Sequence, residues 1–229
     1  MNLLAIDTAT EACSAALLQD DDIYERYQLA PREHNRLILP MISALLDEAG
    51  VEAGDLDAIA FGCGPGSFTG VRIAAGVTQG IAFGLELPVV PISTLAALSL
   101  DAMETTGIDV AYACIDARMN EVYWGIYERD CRGEISLVGE ESVTAAATVN
   151  GLAGRAAVGT GSGWMTYSDV LPHRVGAHLS SVLPDRFPRA GSIARLGALT
   201  LVRGHGIPAE QAQPVYLRDN VARKSNERG

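Results

Sequence analysis

The N-terminal part of the chain alternates short apolar runs with polar segments, and this pattern predicts its first elements. Residues 3–7, 12–18 and 23–29 are rich in apolar and β-favouring side chains, and short polar segments separate them. Runs of this length and spacing predict an antiparallel meander of three strands. After them, apolar residues recur every three or four positions, which predicts an amphipathic helix over residues 34–49 that ends at Gly50.

The pattern then switches between strand-like and helix-like segments. Residues 56–61 and 89–92 predict strands, residues 71–85 and 94–103 predict helices, and residues 62–70 form a glycine-rich loop. Three meandering strands followed by α/β crossovers is the element order of the ribonuclease H-like unit found in actin, hexokinase and Hsp70 proteins. We therefore predict an α/β fold with mixed sheets.

A second lobe is predicted from a repeat of the opening pattern. Residues 109–116 and 121–127 again form an apolar strand that ends in Asp, a short turn and a further strand. We expect a two-lobed actin-like (ASKHA) fold, with an N-terminal lobe over residues 1–106 and a C-terminal lobe over residues 107–229. We also expect the last helix, predicted over residues 193–202, to pack back on the first lobe.

Composition and charge restrict the function classes. Of the 229 residues 48% are hydrophobic and 20% are charged, which predicts a compact protein and excludes disorder as its main state. Residues 1–173 contain 8 Lys and Arg against 24 Asp and Glu, whereas residues 174–229 contain 9 against 4. A nucleic-acid surface needs clustered cations, so the body of the chain is not expected to bind nucleic acid unaided. Only the end of the chain, with Arg218, Arg223 and Lys224, is expected to contact phosphate.

Residue counts exclude several mechanisms. Lys224 is the only lysine, so the body of the chain has no P-loop lysine and no Schiff-base lysine. The four histidines show no H-x-x-x-H spacing and the four cysteines no C-x-x-C spacing, so we expect buried free thiols and no metal site. We also expect neither a secretory signal nor a membrane span, and hence a cytoplasmic protein.

Two segments resemble phosphate-binding loops. The run of residues 7–10, Asp-Thr-Ala-Thr, resembles the first phosphate loop of actin-like ATPases, although Ala9 stands where that loop usually has glycine. Asp7, Thr8 and, at the equivalent place in the second lobe, Asp116 are therefore the candidate cofactor-binding residues, while a hairpin turn explains Asp116 equally well. The loop of residues 62–70 is either an anion cradle before a helix or a tight turn that needs several positive φ angles.

The helix predicted over residues 71–85 carries three glycines on one face, Gly76, Gly80 and Gly84. Each glycine costs a helix about 0.5–1 kcal/mol relative to alanine, so three of them indicate close approach of another backbone. The approaching element is either a helix of the same lobe or a helix of a second chain. An apolar stripe on the preceding helix is a candidate for the second half of such a surface, and it consists of Leu37, Met41 and Leu45.

Several segments along nearly the whole chain resemble the TsaB (YeaZ) family. They are residues 4–14, the segment 31–34, the loop and helix start Gly-Pro-Gly-Ser-Phe-Thr-Gly-Val-Arg at residues 64–72, the strand end at residues 115–119 and the segment Pro-Val-Tyr-Leu-Arg at residues 214–218. The resemblance implies a bacterial protein with a two-lobed actin-like fold. Its expected function is formation of N6-threonylcarbamoyladenosine at position 37 of tRNAs that read codons beginning with A.

The same resemblance implies partners rather than independent catalysis. TsaD-like paralogues carry an H-x-x-x-H metal motif after a strand similar to residues 87–91, and here no histidine follows that strand. We therefore expect a non-catalytic partner of a TsaD-like protein, without a cofactor, working with a TsaE-like ATPase and contacting tRNA only through the complex.

The expected partner surface follows from the resemblance as well. In that family the two helices that begin at His34 and Val71 form a surface used for homodimers and for pairing with the TsaD-like protein. The residues of this surface in the present chain are His34, Leu37, Met41, Leu45, Arg72, Gly76, Gly80 and Gly84. Two enzyme alternatives stay open, a free-standing actin-fold ATPase or small-molecule kinase and a metallopeptidase; the spacing of the histidines argues against the second.

Overall fold

The computed structural model describes residues 1–218, and its first half forms a five-stranded mixed sheet. The strand order is β3-β2-β1-β4-β5; β1, β2 and β3 are antiparallel, whereas β1, β4 and β5 are parallel. Helix α1 leads from β3 to β4, and helix α2 connects the parallel strands β4 and β5. The element bounds are β1 (Asn2–Asp7), β2 (Ala12–Gln19), β3 (Asp22–Leu29), α1 (His34–Ala49), β4 (Ala58–Gly64), α2 (Phe68–Leu85) and β5 (Val89–Ser93).

The second half repeats this arrangement in a second mixed sheet. Its strand order is β11-β10-β6-β7-β8, and β9 pairs with β7 beside β8. The two sheets together form the two-lobed actin-like, ribonuclease H-like α/β fold that the element order predicts. The bounds are α3 (Thr94–Thr106), β6 (Val110–Asp116), β7 (Glu121–Arg129), β8 (Ile135–Leu137), β9 (Ser142–Ala145), β10 (Ala157–Thr160), α4 (Ser162–Thr166), α5 (Leu171–Val175), β11 (Leu179–Leu183) and α6 (Ala190–Val202).

The first sheet is covered on both faces, and this explains why β1 is a continuous apolar run. Alternate side chains of a strand point to opposite faces, so Leu4 and Ile6 pack into the core under α1 and α2, whereas Leu3 and Ala5 pack on the other side. Helix α6 covers that other side, although it follows the second sheet in the chain. A Cβ at Gly197 of α6 would lie 2.6 Å from the Ala60 Cβ, so glycine allows this close packing.

The helices that connect the strands begin and end at residues with clear physical roles. The Ser67 side chain accepts a hydrogen bond from the Gly70 amide and caps α2, which therefore begins three residues before the predicted start. Ser93 caps α3 in the same way, and Gly107 in the left-handed conformation ends it. The predicted lobe boundary between residues 106 and 107 lies where α3 ends. It stays a prediction, because α6 follows the second sheet in the chain but packs against the first sheet.

Four cysteines lie, as free thiols, in the part of the chain that the structure describes, and the prediction that they are buried is wrong for Cys131. Cys13, Cys63 and Cys114 are buried, whereas Cys131 is exposed. Burial raises the pKa of the Cys13 thiol to about 11 and that of the Cys63 thiol to about 12. Neither is therefore a thiolate nucleophile at neutral pH. Within residues 1–218, the helices are all too short or too polar to cross a membrane.

Candidate functional site

A cleft lies between the two sheets and is lined by residues of both. Its volume is about 930 Å³, and both lobes line it. The strand ends of β1 and β6 approach it from opposite sides, which is where ligands of open α/β sheets usually bind. The lining includes Thr10, Glu11, the helix start at residues 66–70, the turn at residues 115–118, Ser162, Met165 and Tyr216.

The first two candidate cofactor residues do not reach this cleft. Asp7 and Thr8 are both completely buried. The Asp7 Oδ1 atom accepts a hydrogen bond from the Ala9 amide at 3.0 Å, and the Thr8 hydroxyl donates to the Gly70 carbonyl oxygen at 2.7 Å. A cofactor-binding role of Asp7 and Thr8 therefore stays a prediction, and in this structure the chain itself covers the segment that resembles a phosphate loop.

The cover is the glycine-rich loop that leads into α2. The Ser67 amide donates to the Ala9 carbonyl oxygen at 2.7 Å. A Cβ at Gly66 would lie 2.5 Å from the Ala9 oxygen, and one at Gly70 would lie 2.0 Å from the Thr8 oxygen. Close backbone approach is thus the reason for these glycines. The predicted run of positive φ angles is wrong, since within this loop only Gly64 has one.

Asp7 lies in an unusual environment beneath the loop. Its Oδ2 atom is buried without a hydrogen-bond partner among residues 1–218, and it packs directly against Gly62, where a Cβ would lie 1.9 Å away. Loss of water around the carboxylate raises the pKa of Asp7 to about 7, while the Ala9 hydrogen bond acts in the opposite direction. Asp7 is therefore partly protonated near neutral pH.

Asp116, the third candidate, does line the cleft, but it is engaged in a turn. Its Oδ1 atom accepts a hydrogen bond from the Arg118 amide at 2.9 Å, and its Oδ2 atom lies 3.3 Å from the Arg118 guanidinium. The three residues Arg118, Met119 and Asn120 all have positive φ angles and form the hairpin between β6 and β7. The hairpin interpretation of Asp116 is thus confirmed, and the cleft contains no free carboxylate at this position.

A segment near the end of the described chain connects the two lobes, and we call residues 207–218 the strap. It begins where Ile207 pairs with Val89 at the edge of the first sheet, and farther along the Val215 amide donates to the Cys63 carbonyl oxygen at 2.7 Å. At its end the Arg218 guanidinium donates to the Ala117 carbonyl oxygen at 3.0 Å and pairs with Glu121 of the second sheet. The strap therefore borders the cleft and joins the lobes.

The partner-surface residues predicted on α1 stay a prediction, and in this structure two of them lie in the core. Leu45 is completely buried in the first core, and His34 is only 7% exposed, with its ring Nε2 3.2 Å from the Ala12 carbonyl oxygen. Both residues support the fold and do not form an exposed surface. Leu37 and Met41 are partly buried against the same core and keep an exposed edge.

The glycine face of α2 is open in this structure. Gly76, Gly80 and Gly84 are exposed, and a Cβ at any of the three would meet no atom within 4 Å. The alternative in which a helix of the same lobe packs on these glycines is therefore wrong for residues 1–218. Next to this face Phe83 is 75% exposed, and on α1 Leu39 is 55% exposed.

Arg72, also predicted for the partner surface, is exposed and lies against two aromatic rings. Its Cζ atom is 3.2 Å from the centroid of the Phe68 ring and 5.2 Å from that of the Tyr216 ring. We call these three residues the Arg72 stack. Phe68 and Tyr216 are not among the predicted site residues, although the four-residue spacing of Phe68 and Arg72 on a helix indicates contact.

Three basic residues near the end of the chain were predicted to contact tRNA phosphate. Arg218 was expected to meet phosphate, but its guanidinium is occupied by Glu121 and the Ala117 carbonyl. Arg223 and Lys224 lie outside the described residues. Among the described residues, no three His, Cys, Asp or Glu side chains are close enough together to hold a metal ion.

The fold and the cleft define a class of protein: a two-lobed actin-like chain whose first phosphate-loop segment is covered by its own glycine-rich loop. A family model described as TsaD, tRNA N6-adenosine threonylcarbamoyltransferase, matches residues 19–225. The tRNA threonylcarbamoyladenosine biosynthesis protein TsaB of Escherichia coli is 41% identical over 98% of this chain and 97% of its own length. The chain therefore belongs to the TsaB (YeaZ) family.

Two further relatives agree with this assignment. The protein of the same name from Haemophilus influenzae is 38% identical over 98% of this chain and 96% of its own length. The solved structure of YeaZ from Pseudomonas aeruginosa is 44% identical, with a TM-score of 0.88 over 94% of this chain and 99% of that chain. The family resemblance found in the sequence motifs is thus confirmed.

Proposed function

We propose that this chain is a non-catalytic partner of a TsaD-like protein in the formation of N6-threonylcarbamoyladenosine at position 37 of tRNAs that read codons beginning with A. The observation that carries the proposal is similarity over nearly the full length to proteins named for threonylcarbamoyladenosine biosynthesis. In this proposal the chain works in the cytoplasm, a TsaE-like ATPase joins the complex, and tRNA binds only to the complex.

The covered phosphate-loop segment supports the non-catalytic part of the proposal. A nucleotide in the first lobe would need the backbone of residues 8–10, yet the loop of residues 66–70 is packed on it. Opening this site would break the bonds from Ser67 to Ala9 and from Thr8 to Gly70. These contacts argue against the alternative of a free-standing actin-fold ATPase or kinase.

The open face of α2 supports the partner part. Three glycines weaken a helix, and within residues 1–218 nothing packs on them to compensate. With the exposed Phe83 and the edges of Leu37 and Met41 they form a surface suited to close approach of another helix. We propose this surface for the TsaD-like protein, and for a second copy of the chain when the partner is absent.

Reconstitution with purified components tests the proposal. The chain alone should hydrolyse no ATP and modify no tRNA, whereas adding the host's TsaD-like and TsaE-like proteins with threonylcarbamoyl-adenylate should give modified tRNA. Omitting only this chain is the matched control and should abolish modification. Steady ATP turnover by the chain alone, or full modification without it, would reject the proposal.

A further inference from the structure

The Arg72 stack is assembled from two distant parts of the chain. Phe68 and Arg72 lie one turn apart on α2, and Tyr216 comes from the strap. The strap is anchored on both sides of this position, by Val215 to β4 and by Arg218 to the second sheet. The guanidinium of Arg72 is therefore held in place by packing before any partner binds.

The donors of Arg72 differ from those of Arg118 and Arg218, two arginines that line the cleft. Arg118 pairs with Asp116, and Arg218 pairs with Glu121. Arg72 is exposed, and among residues 1–218 it takes part in no ion pair and in no side-chain hydrogen bond; its contacts there are the two rings. The aromatic rings cover a face of the guanidinium, which leaves its in-plane N–H donors available.

This arrangement matches one kind of acceptor. The in-plane N–H groups of a guanidinium fit the two oxygens of a carboxylate in a bidentate pair. A guanidinium already fixed by stacking loses less conformational entropy when it pairs, which raises affinity. Phe68 is 59% exposed, Tyr216 46% and Val215 45%, so apolar surface surrounds the donors and would exclude water on docking. Arginine and tyrosine in such settings commonly dominate binding energy.

The charge of the chain favours a protein carboxylate over a nucleic-acid phosphate. Residues 1–173 contain 24 Asp and Glu against 8 Lys and Arg, and this field repels a polyanion but tolerates a single acidic side chain. We propose that the Arg72 stack receives an Asp or Glu side chain of the TsaD-like partner. This inference rests on the proposed function and specifies the chemistry of its partner surface.

Affinity for the purified, nucleic-acid-free TsaD-like protein tests the inference. Arg72→Gln should weaken binding at least about 10-fold, since it removes the charge and the paired donors. Arg72→Lys should fall between Arg72→Gln and the unmodified chain, because it keeps the charge but loses the planar pair of donors. Arg155→Gln is the matched control: it makes the same charge change at a partly exposed ion pair with Glu128 of β7 and should leave affinity unchanged. Melting temperatures of all variants should agree within a few degrees.

A charge-reversal experiment identifies the acceptor. Arg72→Glu should abolish binding, and replacing one exposed Asp or Glu of the partner with Arg should restore it. Unchanged affinity of Arg72→Gln, or no restoration from any partner carboxylate, would overturn the inference. So would normal partner binding with weakened tRNA binding by the complex, which would indicate a phosphate contact. If the unmodified chain does not bind the TsaD-like protein at all, the proposed function itself fails, and that result is distinct from the others.

Discussion

The Ser67 amide donates to the Ala9 carbonyl oxygen at 2.7 Å, and this bond joins the start of α2 to the segment that follows β1. In an actin-like protein this is the place where the first phosphate loop would meet a nucleotide. Here the glycine-rich loop lies on this segment instead, and the Gly70 carbonyl oxygen accepts a hydrogen bond from the Thr8 hydroxyl, a donor that a phosphate could otherwise engage. The segment Gly-Pro-Gly-Ser-Phe-Thr-Gly therefore covers the residues that follow β1 and also forms the turn between β4 and α2.

Glycine substitutions in α2 separate internal packing from open surface. Gly70→Ala would place a Cβ 2.0 Å from the Thr8 carbonyl oxygen, and because this neighbour is backbone, we expect a loss of about 2–3 kcal/mol in the free energy of unfolding. Gly76→Ala, six residues along the same helix, meets no atom and should gain about 0.5–1 kcal/mol. Urea unfolding of both variants measures the contrast, and equal effects would contradict the covering role of the loop.

The open glycine face predicts a variant that harms pairing without harming folding. Gly80→Leu meets no neighbouring atom, so the isolated chain should be as stable as before or more stable by up to about 1 kcal/mol. At a close-packed interface the same side chain should weaken binding of the TsaD-like protein about 5- to 150-fold. Melting temperature and affinity should be measured on the same preparation. Normal affinity would remove this face from the partner surface.

The raised pKa of Asp7 predicts that the free energy of unfolding depends on pH. Its pKa in the folded chain is about 7, above the ordinary 3.8, so between these values the folded state holds a proton that the unfolded state has lost. The contribution of Asp7 to stability is therefore complete below about pH 4 and is lost as pH rises towards 7, on the order of 4 kcal/mol in total. Asp7→Asn cannot titrate, so its stability relative to the unmodified chain should increase across this window. Parallel stability curves from pH 4 to pH 8 would contradict the raised pKa.

The contacts of Arg218 predict that its removal loosens the strap from the second sheet. Removing its guanidinium in Arg218→Ala breaks the link from the strap to Glu121 and to the Ala117 carbonyl oxygen. The pair is partly exposed, so we expect a loss of about 1 kcal/mol, seen as roughly 5-fold faster hydrogen exchange in the turn of residues 117–121. Arg203→Ala, which removes a surface pair with Glu134, should leave this turn unchanged. Equal exchange in both variants would show that the strap does not hold the second lobe.

Much of the first sheet could be predicted because its signals are local. The meander, the parallel strands and α1 over residues 34–49 follow from hydrophobic periodicity, and the structure confirms them. The short elements β8, β9, α4, α5 and β11 carry three to five residues each, too few for a period to be recognised. Their conformation depends on contacts with β6, β7 and β10 that are distant in the sequence.

The sequence alone determined the family, the two-lobed fold and the glycine spacing of α2, because motifs and periodicity are properties of neighbouring residues. Only the tertiary structure decided which side of each element is buried. The apolar stripe of α1 is broad enough that either edge could face the core, and packing against β2 and α2 placed Leu45 inside and left Leu37 partly exposed. In the same way Asp7 and Thr8 have the sequence of a phosphate loop. Their burial follows from a loop some sixty residues later, whose glycines allow its backbone to lie directly on them.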